Sequence, residues 1–236
     1  MSERAVVYLF PVPMGEGTPA DVLPARNIEL LRGVKHFVVE NLRSARRFLR
    51  AASRDIVIDD LQFTELNEHT RPEEIAEMLA PLEQGESIGI ISEAGCPAVA
   101  DPGADLVAAA RRRGYDVVPL VGPSSIILSL MASGFNGQCF AFRGYLPIEQ
   151  HKRVQAIKDM ERAVRSRGET QIFIETPYRN NRMISDLTAT LSSDMQICVA
   201  SDITGPRENI KTRKVSDWRK QEYNYDKIPT IFLIYR

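Results

Sequence analysis

IISEAGCPAVADPGADLVAAARRRG, residues 90–114, carries the strongest indication of the fold in this chain. An apolar run ends here, two turns rich in Gly and Pro follow at 94–97 and 101–103, and a helical pattern begins at Ala104. A strand followed by a loop and a helix is typical of a parallel sheet, in which ligands bind beyond the carboxyl ends of the strands. Because glycine lets a ligand approach the backbone, the first turn is a candidate ligand loop.

The same order of elements recurs along the first half of the chain. Short apolar runs at 5–10, 36–40, 87–92 and 116–122 alternate with helical patterns. This alternation predicts an α/β fold with a mainly parallel sheet that is covered by helices on both faces.

The later part of the chain has more strand-like runs for each helical pattern. This change after residue 135 predicts a second α/β unit with a mixed sheet. We therefore predict two domains, 1–120 and 121–236.

The composition indicates a globular cytoplasmic protein. Apolar residues make up 44% of the 236 residues, and no apolar run approaches the roughly 20 residues of a membrane span. The amino terminus lacks the pattern of a secretory signal. Cys96, Cys139 and Cys198 are far apart and stand outside any CxxC motif, so we expect neither a disulfide framework nor a metal site.

Charge is distributed unevenly along the chain. Residues 1–142 contain 13 Lys and Arg against 19 Asp and Glu, whereas residues 143–220 contain 15 against 10. The later part is therefore a candidate surface for an anionic partner. The alternative is that solvated faces differ in charge without binding anything.

Two features of the main loop also have local structural interpretations. Asp101 and Pro102 fit the cap and the first residue of a helix. The arginines at 111–113 stand in a last helical turn before Gly114, where cations complement the helix dipole.

Two other loops follow apolar runs. GEG at 15–17 partly matches a dinucleotide fingerprint, but the third glycine is absent and Glu16 would lie beside a pyrophosphate, which disfavours a nicotinamide site. Glu40 either accepts a hydrogen bond from a ribose or serves as a cap or surface residue. Ser124 and Ser125 begin an apolar helix, where serine is usually a cap. Three such loops together favour a common ligand.

Residues 90–135 closely resemble the central block of the tetrapyrrole methylase-like methyltransferases, in particular the branch of the ribosomal RNA small-subunit methyltransferase I. In that family the block contains Ser-Asp-Ala-Gly-Thr-Pro, Ser-Asp-Pro-Gly and Pro-Gly-Pro-Ser, and the order and spacing are similar here. Looser matches include FRGYLP (142–147), IFIETPYR (172–179) and SDITGPRENI (201–210).

The resemblance implies two α/β domains of the tetrapyrrole methylase type, with S-adenosylmethionine folded into the cleft between them, and a homodimer. It assigns no catalytic residue. The cofactor-binding residues that it implies are Pro13, Ala94, Gly95, Cys96, Ala98, Val99, Ser124, Ser125, Glu175, Thr176, Pro229, Thr230 and Ile231.

The chain resembles a divergent, shorter member of this family. It departs from the usual pattern at Glu16, Asn41, Leu42, Glu93 and Cys96. Cys96 stands where the family usually has threonine, so we expect any contact there to use the main chain. Methyl transfer is therefore better supported than ribosomal RNA as the acceptor.

The function that the resemblance favours is methylation of RNA, at a ribose 2′-hydroxyl of ribosomal RNA, with RNA or the small ribosomal subunit as partner. Such a transfer requires alignment of the acceptor and exclusion of water, and needs no metal. Candidates to take the hydroxyl proton are Glu16, Glu40, Glu93 and Asp101. Two alternatives stay open, a methyltransferase for a small tetrapyrrole-like molecule and a cofactor-binding module without catalysis.

Overall fold

The computed structural model describes residues 5–67 and 69–236. The chain divides into two compact units, Met1–Ser124 and Ser125–Arg236, whereas the sequence prediction placed the boundary after residue 120. Each unit contains a five-stranded sheet. The predicted fold class, with a parallel sheet in the first α/β unit and a mixed sheet in the second, is confirmed.

The sheet of the first unit is parallel throughout, with the strand order β3-β2-β4-β1-β5. Its strands are β1 (Val6–Phe10), β2 (His36–Val39), β3 (Gln62–Glu65), β4 (Ile88–Ile91) and β5 (Asp116–Pro119). Every residue of β4 is buried, as expected for a central strand that is covered on both faces.

Within residues 5–67 and 69–124, six helices connect the strands of the first unit. They are α1 (Pro19–Val22), α2 (Ala25–Gly33), α3 (Leu42–Ala52), α4 (Pro72–Glu77), α5 (Ala80–Glu83) and α6 (Gly103–Arg112). A short 3₁₀ turn, Ile58–Asp60, precedes β3.

Alternate strand residues of the first unit face two hydrophobic clusters, because side chains along a strand point to opposite faces. Val38 and Ile90 belong to one cluster, and Phe37 and Ile91 belong to the other. A Cβ at Gly89 would lie 2.7 Å from the Phe37 ring. Glycine therefore allows this aromatic side chain to lie against the central strand.

Helix α6 begins one residue before Ala104, where the helical pattern was predicted to start. Pro102 takes the N-cap position and Gly103 is the first helical residue, since the Asp101 carboxylate accepts a hydrogen bond from Gly103 N at 2.7 Å. The helix ends among the arginines at 111–113, and Gly114 follows with φ +77°. The predicted role of these residues in closing the helix is confirmed.

The sheet of the second unit is mixed, with the order β6-β7-β10-β8-β9. Only β6 and β7 pair in parallel among its named strands. The strands are β6 (Phe140–Tyr145), β7 (Thr170–Ile174), β8 (Gln196–Ser201), β9 (Asn209–Lys214) and β10 (Thr230–Tyr235). The helices are α7 (Ser125–Ser133), α8 (Gln150–Arg167), α9 (Asn180–Thr190) and α10 (Val215–Trp218), with a 3₁₀ turn at Pro177–Arg179.

A buried ion pair joins the two longest helices of the second unit. Arg153 Nη2 lies 2.6 Å from Asp186 Oδ2, and both side chains are less than 10% exposed. Arg153 also donates to the carbonyl oxygens of Pro147 and Ile148 at 3.0 and 2.5 Å. Because the remaining guanidinium donors are satisfied, the charge is tolerated in the core.

Across residues 5–67 and 69–236, no helix is both long and apolar enough to cross a bilayer. The same part of the chain contains no group of three or more His, Cys, Asp or Glu side chains arranged to hold a metal ion.

Candidate functional site

Three loops of the first unit meet beyond the carboxyl ends of β1, β4 and β5. Val12 and Gly95 form an antiparallel bridge, with Val12 N donating to Gly95 O at 2.9 Å and Gly95 N donating to Val12 O at 3.2 Å. A Cβ at Gly122 would lie 2.2 Å from Pro11 Cβ. The close approach of the first and third loops therefore requires a glycine at this position.

The predicted residues Gly95 and Cys96 lie directly beside the third loop. The Cys96 Sγ donates to the Pro123 carbonyl at 3.3 Å, and a Cβ at Gly95 would lie 3.5 Å from the same oxygen. Burial raises the pKa of the Cys96 thiol. The thiol therefore stays protonated and holds two loops together.

The backbone of the main loop adopts left-handed conformations at three positions. Gly95 has φ +71°, and the non-glycine residues Ala98 and Ala100 have φ +64° and +58°. Each such alanine costs about 1–2 kcal/mol. Non-glycine residues keep this conformation where the surrounding structure requires it, and they cluster at ligand sites.

Asp101 holds this strained segment in place. Its carboxylate accepts hydrogen bonds from Ala98 N at 2.9 Å and from Gly103 N at 2.7 Å. A Cβ at Gly103 would lie 2.8 Å from Asp101 Oδ1, so the arrangement requires glycine there. The predicted contacts Ala94 and Val99 remain exposed on the loop, Val99 to 48%.

Acidic side chains gather at the same edge of the sheet. Glu40, which follows β2, accepts a hydrogen bond from Glu93 N at 3.1 Å. Burial raises the pKa of Glu40, and the nearby Asp101 and Glu93 carboxylates add to this effect, while the Glu93 hydrogen bond opposes it. Burial also raises the pKa of Asp101 despite its two amide donors. The loop is therefore surrounded by negative charge.

The four candidate proton acceptors differ in their surroundings. Glu16 and Glu93 are exposed. Asp101 is occupied by the two amide donors of its own loop. Glu40 is half-buried beside the main loop, and its raised pKa makes it more basic than an ordinary carboxylate.

Two departures from the family pattern serve the start of α3. Asn41 Oδ1 accepts a hydrogen bond from Ser44 N at 3.0 Å and caps the helix. Leu42 N donates to Glu65 Oε1 at 3.2 Å.

The predicted contacts Pro13, Ser124 and Ser125, which belong to the first and third loops, are half-buried. Pro13 follows the Val12 bridge directly. Ser124 ends the first unit and Ser125 begins α7. Neither serine hydroxyl forms a hydrogen bond with any described residue, which leaves both available to a ligand.

The predicted residues of the second unit lie at one edge of its own sheet. Because β7 and β10 are antiparallel, Ile174 pairs with Ile231, which brings Glu175 and Thr176 close to Pro229 and Thr230. Pro229 is exposed, whereas Thr230 and Ile231 are buried.

The polar side chains at this edge already have protein partners. Glu175, 3% exposed, pairs with Arg179 Nη2 at 2.5 Å and accepts a hydrogen bond from Thr176 N at 2.6 Å. Thr230 Oγ1 donates to Ile228 O at 2.9 Å and accepts from Asn180 Nδ2 at 3.1 Å. A cofactor contact here would therefore use backbone groups.

Arg179 and Asn180 were not among the predicted residues. The polar run PYRN (177–180) directly after Thr176 was the available signal.

The comparisons with known proteins confirm the predicted family. The tetrapyrrole (corrin/porphyrin) methylase family matches residues 9–218. The chain is 29% identical to the ribosomal RNA small subunit methyltransferase I of Escherichia coli O157:H7, over 99% of this chain and 78% of that protein. It is 30% identical to the protein of that name from Synechocystis, over 84% of this chain and 67% of that protein.

Two solved structures share the fold. One is a uroporphyrin-III-C-methyltransferase from Thermus thermophilus, with a TM-score of 0.60 and 16% identity over 98% of this chain and 94% of that chain. The other is a cobalt precorrin-4 methyltransferase, with a TM-score of 0.62 and 14% identity over 100% and 96% of the two chains. The family match covers most of both units. The chain therefore belongs to the tetrapyrrole methylase family of S-adenosylmethionine-dependent methyltransferases.

Proposed function

We propose that this enzyme methylates RNA of the small ribosomal subunit, at a ribose 2′-hydroxyl. The observation that carries the proposal is the 29% identity to a ribosomal RNA small subunit methyltransferase I over 99% of this chain. The tetrapyrrole-modifying enzymes among the solved structures are only 14–16% identical, so that similarity supports the fold and not their substrates.

The main loop of the first unit suits the methyl donor. Its backbone is fixed in left-handed conformations at Gly95, Ala98 and Ala100, and the nearby carboxylates favour a ligand that carries a cationic sulfonium and an ammonium group. The hydroxyls of Ser124 and Ser125 add hydrogen-bonding groups for the cofactor. The contacts proposed from the first unit are Pro13, Ala94, Gly95, Cys96, Ala98, Val99 and Ser124, and Ser125, the first residue of the second unit, is proposed with them.

The contacts proposed for the second unit remain a prediction. They are Glu175, Thr176, Pro229, Thr230 and Ile231. Backbone groups at this edge would make the contacts, because the Glu175 and Thr230 side chains are engaged within the protein.

S-adenosylmethionine supplies a methyl group on a sulfonium that departs as a neutral thioether. The protein then has to hold the acceptor oxygen in line with that methyl group and to remove the hydroxyl proton. We propose that Glu40 accepts the hydroxyl proton. Its raised pKa makes its carboxylate a stronger base than an ordinary glutamate. Asp101 is assigned to holding the loop.

The test compares ribosomal RNA from cells with and without the gene by mass spectrometry of its nucleosides. Loss of one ribose methylation is expected. Restoration by the wild-type gene, and failure of Glu40→Gln to restore it, would support the assignment of the base, with Glu16→Gln as the exposed control. An unchanged RNA profile would contradict the RNA substrate and favour a small acceptor or a module without catalysis.

Calorimetry separates cofactor binding from the substrate. We expect S-adenosylmethionine and its demethylated product to bind the purified protein. The absence of binding at about 1 mM ligand, where the free energy is only about −4 kcal/mol, would contradict the cofactor site itself.

A further inference from the structure

The edge strand β9 presents positive charge on one face. Along a strand alternate residues share a face. Thr212 Oγ1 donates to Ser133 O of α7 at 2.9 Å, which places Thr212 toward α7. Lys211 and Arg213 therefore point the other way, where they line a groove of about 240 Å³ together with Arg207.

Two of the three cations of this groove, which we call the β9 groove, form no ion pair with any described residue. Lys211 forms no ion pair with any described residue. Arg213 lies over the Trp218 ring at 5.7 Å from its centroid. The third cation, Arg207, has a side chain that is 71% exposed, and its Nε lies 3.8 Å from Asp202 Oδ2, a long ion pair. Of the described residues that line the groove, Glu222 is the single carboxylate.

A second arginine-rich groove in the same unit provides a contrast. It is lined by β6 and α8 residues, and each of its arginines pairs with a carboxylate. The pairs are Arg143–Glu169, Arg162–Asp159, Arg165–Glu161 and Arg167–Glu169. The hydrogen bond from Arg167 lowers the pKa of Glu169 to about 2, so that carboxylate stays ionised. This second groove is therefore nearly neutral.

The loop that carries Arg207 is held in a strained shape. Asp202 and Thr204 have φ +50° and +65°. Asp202 Oδ2 accepts a hydrogen bond from Arg207 N at 2.8 Å. Gly205 N donates to Asp202 O at 2.8 Å. Left-handed non-glycine residues are found mainly where function requires a fixed backbone.

We propose that the β9 groove binds the sugar-phosphate backbone of single-stranded RNA. Arg207 and Lys211 would pair with phosphates, and the half-buried Tyr223 and the Asn224 amide offer stacking and hydrogen bonds to an adjacent nucleotide. The groove is smaller than the roughly 300 Å³ of the smallest drug-sized pockets, which disfavours a macrocycle. This inference rests on the proposed RNA substrate and names where that RNA docks.

The test uses a fluorescent uridine oligonucleotide of about 12 nucleotides, with binding measured by anisotropy at salt concentrations between about 50 and 200 mM. The variant is Arg207→Ala/Lys211→Ala. The matched control is Lys152→Ala/Arg162→Ala, which also removes two exposed cations; Arg162, like Arg207, is 71% exposed. Melting temperatures and calorimetry with S-adenosylmethionine accompany every variant.

We expect the Arg207/Lys211 variant to lose at least about tenfold in oligonucleotide affinity. The slope of log affinity against log salt should fall by about 1.4, at about 0.7 for each lost phosphate contact on a single strand. The control variant should keep the oligonucleotide affinity of the wild type, and both variants should keep its affinity for S-adenosylmethionine.

Three results would overturn the proposal: no binding of the oligonucleotide by the wild type, equal losses in the variant and its control, or equal competition by polyglutamate, which would assign the groove to an acidic protein. Wild-type RNA methylation together with an unaffected Arg207/Lys211 variant would refute the docking surface alone. An unchanged RNA profile without the gene would refute the proposed function instead.

Discussion

The main loop of the first unit (92–102) and the β8–β9 loop of the second unit (202–208) are built alike but lie beside side chains of opposite charge. Each contains two left-handed non-glycine residues, and in each an aspartate side chain accepts backbone N–H donors. The first lies among the carboxylates of Glu40, Glu93 and Asp101. The second carries Arg207 and leads into the basic strand β9.

The comparison of the two loops shows that the conformation of a loop and its preference for a ligand have separate causes. An aspartate that binds nearby amides stiffens a loop, whatever ligand the loop serves. The side chains around the loop then set the local potential. This potential favours a cation at the first loop and, because of the Lys and Arg side chains of β9, an anion beside the second. Variants of the two loops should therefore affect different ligands.

The largest effect is expected from Asp101→Ala. Ala98 N and Gly103 N lose their acceptor, which costs about 1–3 kcal/mol of unfolding free energy. If the loop loosens by a similar free energy, cofactor affinity falls about 30-fold. Chemical denaturation and calorimetry measure the two effects.

Asp105→Ala, at an exposed site in the first turn of α6, is the control and should stay within about 0.5 kcal/mol of the wild type. Wild-type cofactor affinity in Asp101→Ala would show that the loop does not bind the ligand.

Gly95→Val should have the next largest effect. At φ +71° a side chain costs about 1–2 kcal/mol, and its Cβ would lie in van der Waals contact with the Pro123 carbonyl oxygen at 3.5 Å, where the branches of valine have to find room. We expect cofactor affinity to fall by about tenfold or more while affinity for the uridine oligonucleotide is retained. A parallel loss of both affinities would mean that the two loops are not independent.

Asp202→Ala tests the second loop. Arg207 N loses its acceptor, so the unfolding free energy should fall by about 1 kcal/mol. Oligonucleotide binding should weaken while cofactor affinity stays unchanged. Asp202→Asn keeps an acceptor oxygen and should restore most of the stability; if it does not, the charge of Asp202, rather than its hydrogen bond, supports the loop.

The smallest effect on stability is expected from Glu40→Gln, and it should depend on pH. Since the folded state raises the pKa of Glu40, the protonated form is favoured by folding, and this stability is lost as pH rises through the folded pKa. At neutral pH the uncharged glutamine should raise the melting temperature slightly, on the order of 1–2 °C. The difference should vanish in acid below the ordinary carboxyl range; a gain that persists there would contradict the electrostatic cause.

Sequence patterns were sufficient where the relevant interactions are local. The run SIGIIS, the turns at 94–97 and 101–103 and the arginines at 111–113 predicted a strand, a loop and a helix end, and the structure has them in that order. The helix starts one residue before the predicted Ala104. The Asp101 carboxylate accepts the predicted capping hydrogen bond from Gly103 N, and it also accepts one from Ala98 N, which the sequence did not predict.

The charge count marked residues 143–220 as a candidate surface for an anionic partner, but the position and shape of the β9 groove were beyond such reasoning. The stretch SDITGPRENI was recognised only as part of a family match. Its positive φ angles, and the stacking of Arg213 on Trp218, depend on contacts that no periodic pattern encodes.

The sequence by itself determined the alternation of strands and helices and the glycine and proline turns, because periodicity and turn chemistry act over a few neighbouring residues. Its resemblance to known sequences over residues 90–135 indicated the family. The tertiary structure alone decided that Gly122 lies against Pro11 and that Cys96 reaches Pro123. It also decided which charges surround each strained loop. These features depend on residues far apart in the chain, and only packing brings such residues together.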